Sequence, residues 1–269
     1  MKLINSKVEI LEPTGYTIDD IYKQIEIAGR TCYKSEDKIT PTSAKEFVDR
    51  MIKSGHGAML EHGTVYLTIP TQNCNSEKYK RNHYSDVNIV SVDGINGRTF
   101  VTTNYRVLVE NEWLDDLKYI CEPTVFHEKR ISVRWTCDRG VSHEFVRHRV
   151  FSFAQESTRY VNYSKDKFGH EITYIQPCWE MQKDEEELFL LQLEQAQNAY
   201  NALISSGWKP QQARAILPNA LKTELVMTGF ESDWKHFFEL RCDTAAHPDA
   251  RKLALELYNK LYNKEYGKE

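Results

Sequence analysis

The densest set of chemically capable side chains lies in one stretch, RHRVFSFAQESTRY at 147–160, which brings Arg147, His148, Arg149, Ser157 and Arg159 into close succession. That set suits a phosphate. A guanidinium presents a planar fork of donors that matches phosphate oxygens and stays charged at every working pH, and a serine hydroxyl adds another donor. The same residues would also make a solvated basic turn with aromatic anchors. Their interleaving of basic and aromatic side chains is, in addition, the pattern of a single-stranded nucleic-acid groove. The formal charge of −4 and a pI near 6.2 speak against nucleic acid, because non-specific affinity needs many phosphate contacts and one cluster supplies few.

His143 and Glu144 followed by His148 superficially suggest a metal hydrolase, but the second histidine stands five residues after the first. On a helix that spacing turns it away from the face an i+4 pair would share, so no metal site is expected. There is no GxGxxG or Walker A pattern, so any dinucleotide must be held by arginines rather than by a glycine-rich turn. Arg214 and Arg241 are available downstream, although a surface helix or an ion pair uses such arginines too. The six cysteines, scattered and without a CxxC pair, read as free thiols, mostly small buried side chains.

These side chains need a scaffold, and the hydrophobic pattern supplies one. Ile18, Ile21, Ile25 and Ala28 behind Thr17 predict a helix over 17–29 that ends near Gly29. A second helix is expected from Ser43, with Glu46 completing a capping box and Phe47, Met51 and Ile52 buried, stopping before Gly55. HGAMLEH then reads as a loop with two histidines. Val65, Leu67 and Ile69 alternate as in a strand, as do Ile131, Val133, Trp135 and Cys137. Between them, 71–128 reads as an inserted region, with a hairpin suggested at Asn96–Gly97 ahead of the strand-like RTFVTTNYRVLVE. Asp138 is placed to cap a helix running through His148, after which VFSFAQESTRYVNYS looks irregular. Helices are expected over 184–206, from Pro210 to Pro218, over 233–241 and from Pro248 to about Tyr262, with a strand through Leu221, Thr223, Leu225 and Met227. The order is α+β, mixed helices with an antiparallel-type sheet, in a single domain over 1–269. The N-terminus lacks an apolar leader and no run approaches a membrane span, so a cytoplasmic protein is expected.

Four ordered segments resemble the flavin-dependent thymidylate synthases. The family hallmark, RHR followed by SxRY, stands here as Arg147-His148-Arg149 and Ser157 to Tyr160. GHGAMLEHGT at 55–64 is similar to the family's upstream histidine segment. ARAILPNALKT at 213–223 and WKHFFELRCDTAAHPDARKLA at 234–254 are similar to its C-terminal signature, and AGRTCYKS at 28–35 adds a further match.

The resemblance implies a homotetramer that makes dTMP from dUMP, with methylene-tetrahydrofolate as carbon donor and NADPH reducing a bound FAD. It places Thr64, Arg147, His148, Arg149, Gln155 and His236 against the flavin. Arg147, Gln155, Ser157, Arg159, Arg214 and Arg241 fall to the nucleotide, and His62 and Arg241 to catalytic positions. Arg241 would stabilise negative charge developing on the uracil ring. Three positions depart from the family pattern. Phe230 and Ser232 stand where many members have Asn and Arg, and Glu144 where shorter members have Gln. A carboxylate beside a phosphate would need protonation or another partner.

Overall fold

The computed structural model describes residues 1–92, 96–159, 163, 171–264 and 266–267. Strands β1 (Lys2–Asn5) and β2 (Lys7–Ile10) open the chain, followed by helix α1 (Ile18–Tyr33). The Thr17 hydroxyl accepts from the Asp20 N–H at 3.3 Å and the Asp20 carboxylate accepts from the Thr17 N–H at 3.2 Å, so two otherwise orphaned donors are satisfied reciprocally. The helix does not stop at Gly29. It runs on to Tyr33 and ends where Lys34 takes a left-handed turn at φ 49°. Gly29 serves packing instead, since a Cβ there would come within 2.3 Å of the Phe47 ring.

Helix α2 (Ser43–Lys53) buries Phe47 and Met51 as expected, whereas Ile52 is 40% exposed and Val48 takes the inward position. The expected capping box is absent. Ser43 Oγ accepts from the Thr40 N–H at 2.8 Å and lies 2.9 Å from Glu26, to which it donates. Within HGAMLEH the chain winds into one short helix, α3 (Gly57–Leu60), rather than an open loop.

Strand β3 (Thr64–Pro70), helix α4 (Ser76–Lys80), strands β4 (Asp86–Val92) and β5 (Asn96–Asn104) and helix α5 (Tyr105–Glu110) follow. β4 and β5 form the expected antiparallel pair, but Asn96 and Gly97 begin β5 and the connection at 93–95 lies outside the described residues. The run taken as one strand divides at Asn104, whose side chain accepts from the Val107 N–H at 3.1 Å and starts α5. The sheet order is β3-β5-β4. Residues of the inserted region thus complete a sheet with β3, and Tyr79, Val101 and Leu108 share a core with Ile25, Phe47 and Val65.

The remaining elements are β6 (Arg130–Asp138), α6 (Arg139–Phe145), β7 (Ser152–Gln155), β8 (Thr173–Gln176), α7 (Lys183–Ser205), α8 (Pro210–Ala213), β9 (Lys222–Phe230), α9 (Glu231–Arg241) and α10 (Pro248–Tyr262). β2-β6-β9-β7 form an antiparallel sheet, and β1 pairs parallel with β8, so the fold is α+β. Two expectations change here. Asp138 does cap α6, accepting from the Val141 N–H at 2.6 Å, yet the helix ends at Phe145 before reaching His148. The segment after Arg149 is also not wholly irregular, because β7 pairs along β9. Alternation along β9 separates two cores: Leu225 and Met227 pack with Trp135, Trp234 and Phe237, whereas Val226 packs with α1 and α2. This sheet, packed on both faces, is the rigid support on which the polar segments sit.

Candidate active site

α6 ends one residue short of the RHR triplet, so Arg147, His148 and Arg149 lie in the turn between α6 and β7, beside the C-terminal end of α9. They line a cleft of about 740 Å³ together with Glu144, His236 and Arg241. Arg241, 13% exposed at its side chain, organises this cleft. Its Nε donates to His148 Nε2 at 2.9 Å, Nη1 to the Glu144 carboxylate at 2.8 Å, and Nη2 to the Glu144 carbonyl at 2.6 Å. Because arginine can only donate, His148 Nε2 must carry a lone pair, which assigns the neutral Nδ1–H tautomer. Burial first, then the Arg241 charge, push His148 down to about 4.

Glu144 finds in Arg241 the partner it required. The hydrogen bond from that guanidinium holds its carboxyl below the ordinary range, with Arg147 3.5 Å away. With Glu144 offsetting Arg241, positive charge at the cleft mouth falls to Arg149 and Arg147, the latter 71% exposed at its side chain. His236 is exposed on α9, 3.2 Å from Glu239. Among the described residues no group of three or more His, Cys, Asp or Glu could hold a metal ion.

A second group forms where β7 leaves the sheet. Gln155 donates to the Ser142 and Thr223 hydroxyls at 2.8 and 3.3 Å. Ser157 donates its N–H to the Cys32 carbonyl at 3.0 Å, and its hydroxyl accepts from the Arg159 N–H at 3.4 Å. Arg214 donates to the Thr158 hydroxyl at 2.8 Å. Tyr160, the last residue of the hallmark, lies outside the described residues. Below this stretch is an ion-pair chain that sequence reasoning missed: Glu156 to Lys222 at 2.9 Å, Lys222 to Glu224 at 2.5 Å, and Glu224 to Lys34 at 2.7 Å. Burial would raise the Glu224 carboxyl, but Lys222 and Lys34 hold it down to about 2. Alternation along the strand carried the available signal: Lys222 and Glu224 are polar positions on one face, flanking buried Thr223.

The histidine segment supplies a third group. His62 is 1% exposed, its Nδ1 is 2.8 Å from the Thr228 hydroxyl, and burial followed by the nearby Arg130 pushes it down to about 3. Arg130 donates to the Thr64 hydroxyl at 3.2 Å and to the Glu61 carbonyl at 3.1 Å. Phe230 and Ser232 make backbone contacts, their N–H groups donating to Asp233 and Glu128. One cleft therefore joins Arg147, His148, Arg149, His236 and Arg241. Gln155, Ser157, Arg159 and Arg214 lie together elsewhere, and His62 and Thr64 stand apart from both.

A family model described as thymidylate synthase complementing protein matches residues 110–264 of the 269-residue chain. The chain belongs to this family. The matched span contains every candidate site residue except His62 and Thr64. The flavin-dependent thymidylate synthase of Geobacter sulfurreducens is 34% identical over 119 residues, 44% of this chain and 50% of the relative. That of Corynebacterium aurimucosum is 27% identical over 243 residues, 86% of this chain and 72% of the relative. The chain thus spans about half the length of the first relative and nearly three quarters of the second. A solved structure, the UMP/dUMP methylase PolB from Streptomyces cacaoi bound with 5-Br dUMP, aligns over 98% of this chain and 93% of that one. Its TM-score is 0.47 at 15% identity, a likeness too loose to bear on the site.

Proposed function

We propose that this member of the thymidylate synthase complementing family is a flavin-dependent thymidylate synthase. It transfers a one-carbon unit from methylene-tetrahydrofolate to dUMP, with FAD as cofactor and NADPH as reductant. The observation that carries the reading is the Glu144–Arg241–His148 arrangement beside Arg147 and Arg149. It holds a guanidinium in fixed orientation within a cleft whose mouth carries positive charge. Arg241 spends three donors on the protein and keeps one hydrogen on Nη1 and one on Nη2. Those two are suited to the imide edge of a uracil ring, where negative charge develops on methylation.

The residues present fit a flavin dinucleotide: exposed arginines match a diphosphate, and His148 is a neutral polar group in a partly apolar wall. Arg147, His148, Arg149, Thr64, Gln155 and His236 would hold the FAD. Arg147, Gln155, Ser157, Arg159, Arg214 and Arg241 would hold the nucleotide. When bound, FAD supplies the reducing equivalents. Enclosed as it is, His62 acts in this proposal by bracing Thr228 in β9. The separation of the three residue groups supports a homotetramer in which neighbouring subunits complete each site. A single catalytic unit over 1–269 with an inserted region at 71–128, and a cytoplasmic location, belong to the same proposal. No described helix is long and apolar enough to cross a membrane.

The visible spectrum of the purified protein tests it. A yellow protein, or one that takes up FAD stoichiometrically, is expected. A colourless protein that FAD cannot titrate and that binds single strands in a salt-sensitive way would return the basic-aromatic segment to nucleic acid.

A further inference from the structure

Arg130, at the start of β6, is not accounted for by the candidate site residues. It lies between two cavities, of about 380 and 430 Å³, and lines both. The smaller one carries Arg149 of the RHR triplet on the same lining, and the larger one carries Thr64. Its guanidinium donates from Nη1 and Nη2 to the Glu61 carbonyl and from Nη1 to the Thr64 hydroxyl. These bonds leave Nε–H and one Nη2 hydrogen without an acceptor among the described residues. No carboxylate of the described residues stands within ion-pair distance. Glu61, whose carbonyl Arg130 contacts, has its carboxylate paired instead with Arg106 at 2.5 Å. Burial lowers Arg130 to about 10, only partly offset by Tyr66, Glu61 and Asp233. A partly desolvated cation with spare donors is costly by itself and gains from an anion brought to it.

The smaller cavity has the character such an anion needs. Arg130 and Arg149 supply two guanidinium groups to it, and His83 and Tyr84 of the inserted region form another part of its wall. Asp233 is the carboxylate on the lining, and it is engaged in the first turn of α9, accepting from the Phe230 N–H at 3.1 Å. Phe230, one of the three departures from the family pattern, packs its ring 5.7 Å from the Arg130 guanidinium carbon.

We propose that Arg130 is a cofactor-binding residue of this chain. With Arg149 it holds the diphosphate of FAD in the cavity walled by His83 and Tyr84, and the inserted region thereby takes part in flavin binding. The proposal rests on the flavin-dependent reading of the site. Two guanidinium groups match the two negative charges of a diphosphate, and the open Nε and Nη2 donors of Arg130 suit a bidentate contact.

FAD and riboflavin affinities, measured by flavin fluorescence on wild type and Arg130→Gln, test it. FAD binding should weaken about ten- to a hundredfold, as expected for loss of a charge-assisted contact, while riboflavin binding, which lacks the diphosphate, stays unchanged. If wild type binds no FAD, the flavin-dependent reading itself fails. If wild type binds FAD and the folded variant binds it equally well, or loses riboflavin to the same degree, only the role of Arg130 is overturned. A measurement on wild type covers the case in which the variant does not fold. FAD and inorganic pyrophosphate should each protect Arg130 from phenylglyoxal, read by peptide mass, and riboflavin should not. Equal labelling with and without FAD, or no labelling of Arg130 at all, overturns the proposal.

Discussion

Arg241→Lys keeps the positive charge but removes the planar fork that makes three contacts at once. A lysine ammonium in the same place can retain the Glu144 carboxylate. It then gives up the bonds to the Glu144 carbonyl and to His148 Nε2, at 2.6 and 2.9 Å. At about 1 kcal/mol net for each, the variant should lose about 2 kcal/mol of stability. That corresponds to roughly 4–8 °C in Tm for a protein of this size. Catalysis should fall further and selectively. If Arg241 stabilises charge on the uracil ring, thymidylate formation should drop about 30- to 150-fold, for about 2–3 kcal/mol of lost transition-state stabilisation. NADPH oxidation should change far less, since flavin reduction develops no charge on the pyrimidine. Both rates are to be measured on one preparation whose fold and FAD content match wild type. Thymidylate formation close to wild type, or equal loss of both rates, would refute the argument and leave Arg241 as a brace between α6 and α9.

Acid should destabilise the protein through its enclosed imidazoles. His62 and His148 lie at about 3 and 4 in the folded chain, below the unfolded value of about 6.5. As the pH falls below about 6.5 the unfolded state takes up these protons first, so stability declines down to about pH 3. Urea midpoints at pH 7.5 and pH 5 should therefore differ less in His62→Gln than in wild type; an unchanged difference would remove His62 from the account. Cys242→Ala should leave thymidylate formation largely intact, because burial raises that thiol to about 11 and little thiolate exists at neutral pH. Abolished turnover with FAD and dUMP still bound would bring back a thiol mechanism. Thiol labelling of the native protein should favour Cys178, the cysteine that is exposed rather than buried or half-buried.

What the sequence determined by itself is local. The Thr17 cap, the Asp138 cap, the Pro248 helix start and the alternation of Leu225 and Met227 depend on neighbours within a few residues, and the structure realises each. The RHR and SxRY stretch was legible for a related reason: a phosphate or flavin demands particular side chains in close succession, and spacing survives in a string of letters. Long-range packing was not legible. Gly29 resembles a helix stop until the Phe47 ring is seen filling the space above it, and Ile52 resembles core until Val48 takes that direction. RTFVTTNYRVLVE has the residues of a single strand, but the Asn104 cap turns its second half into a helix.

The same division runs through the site. Glu144 in sequence is a carboxylate set against a phosphate; only the approach of Arg241 from α9, 97 residues away, makes it an ion-pair partner that orients a guanidinium. Lys34 and Glu156 come from segments far from Lys222 and Glu224, and the four became a network only when β9 brought them under the Ser157 turn. Arg130 carried no motif at all. Its partial burial, its spare donors and its place between two cavities follow from the pairing of β6 with β9 and the closing of the inserted region over it. Spacing can announce which side chains are able to do chemistry. Which charges meet, and which are left facing a cavity, depends on contacts between residues far apart in the chain, and those only the tertiary structure decides.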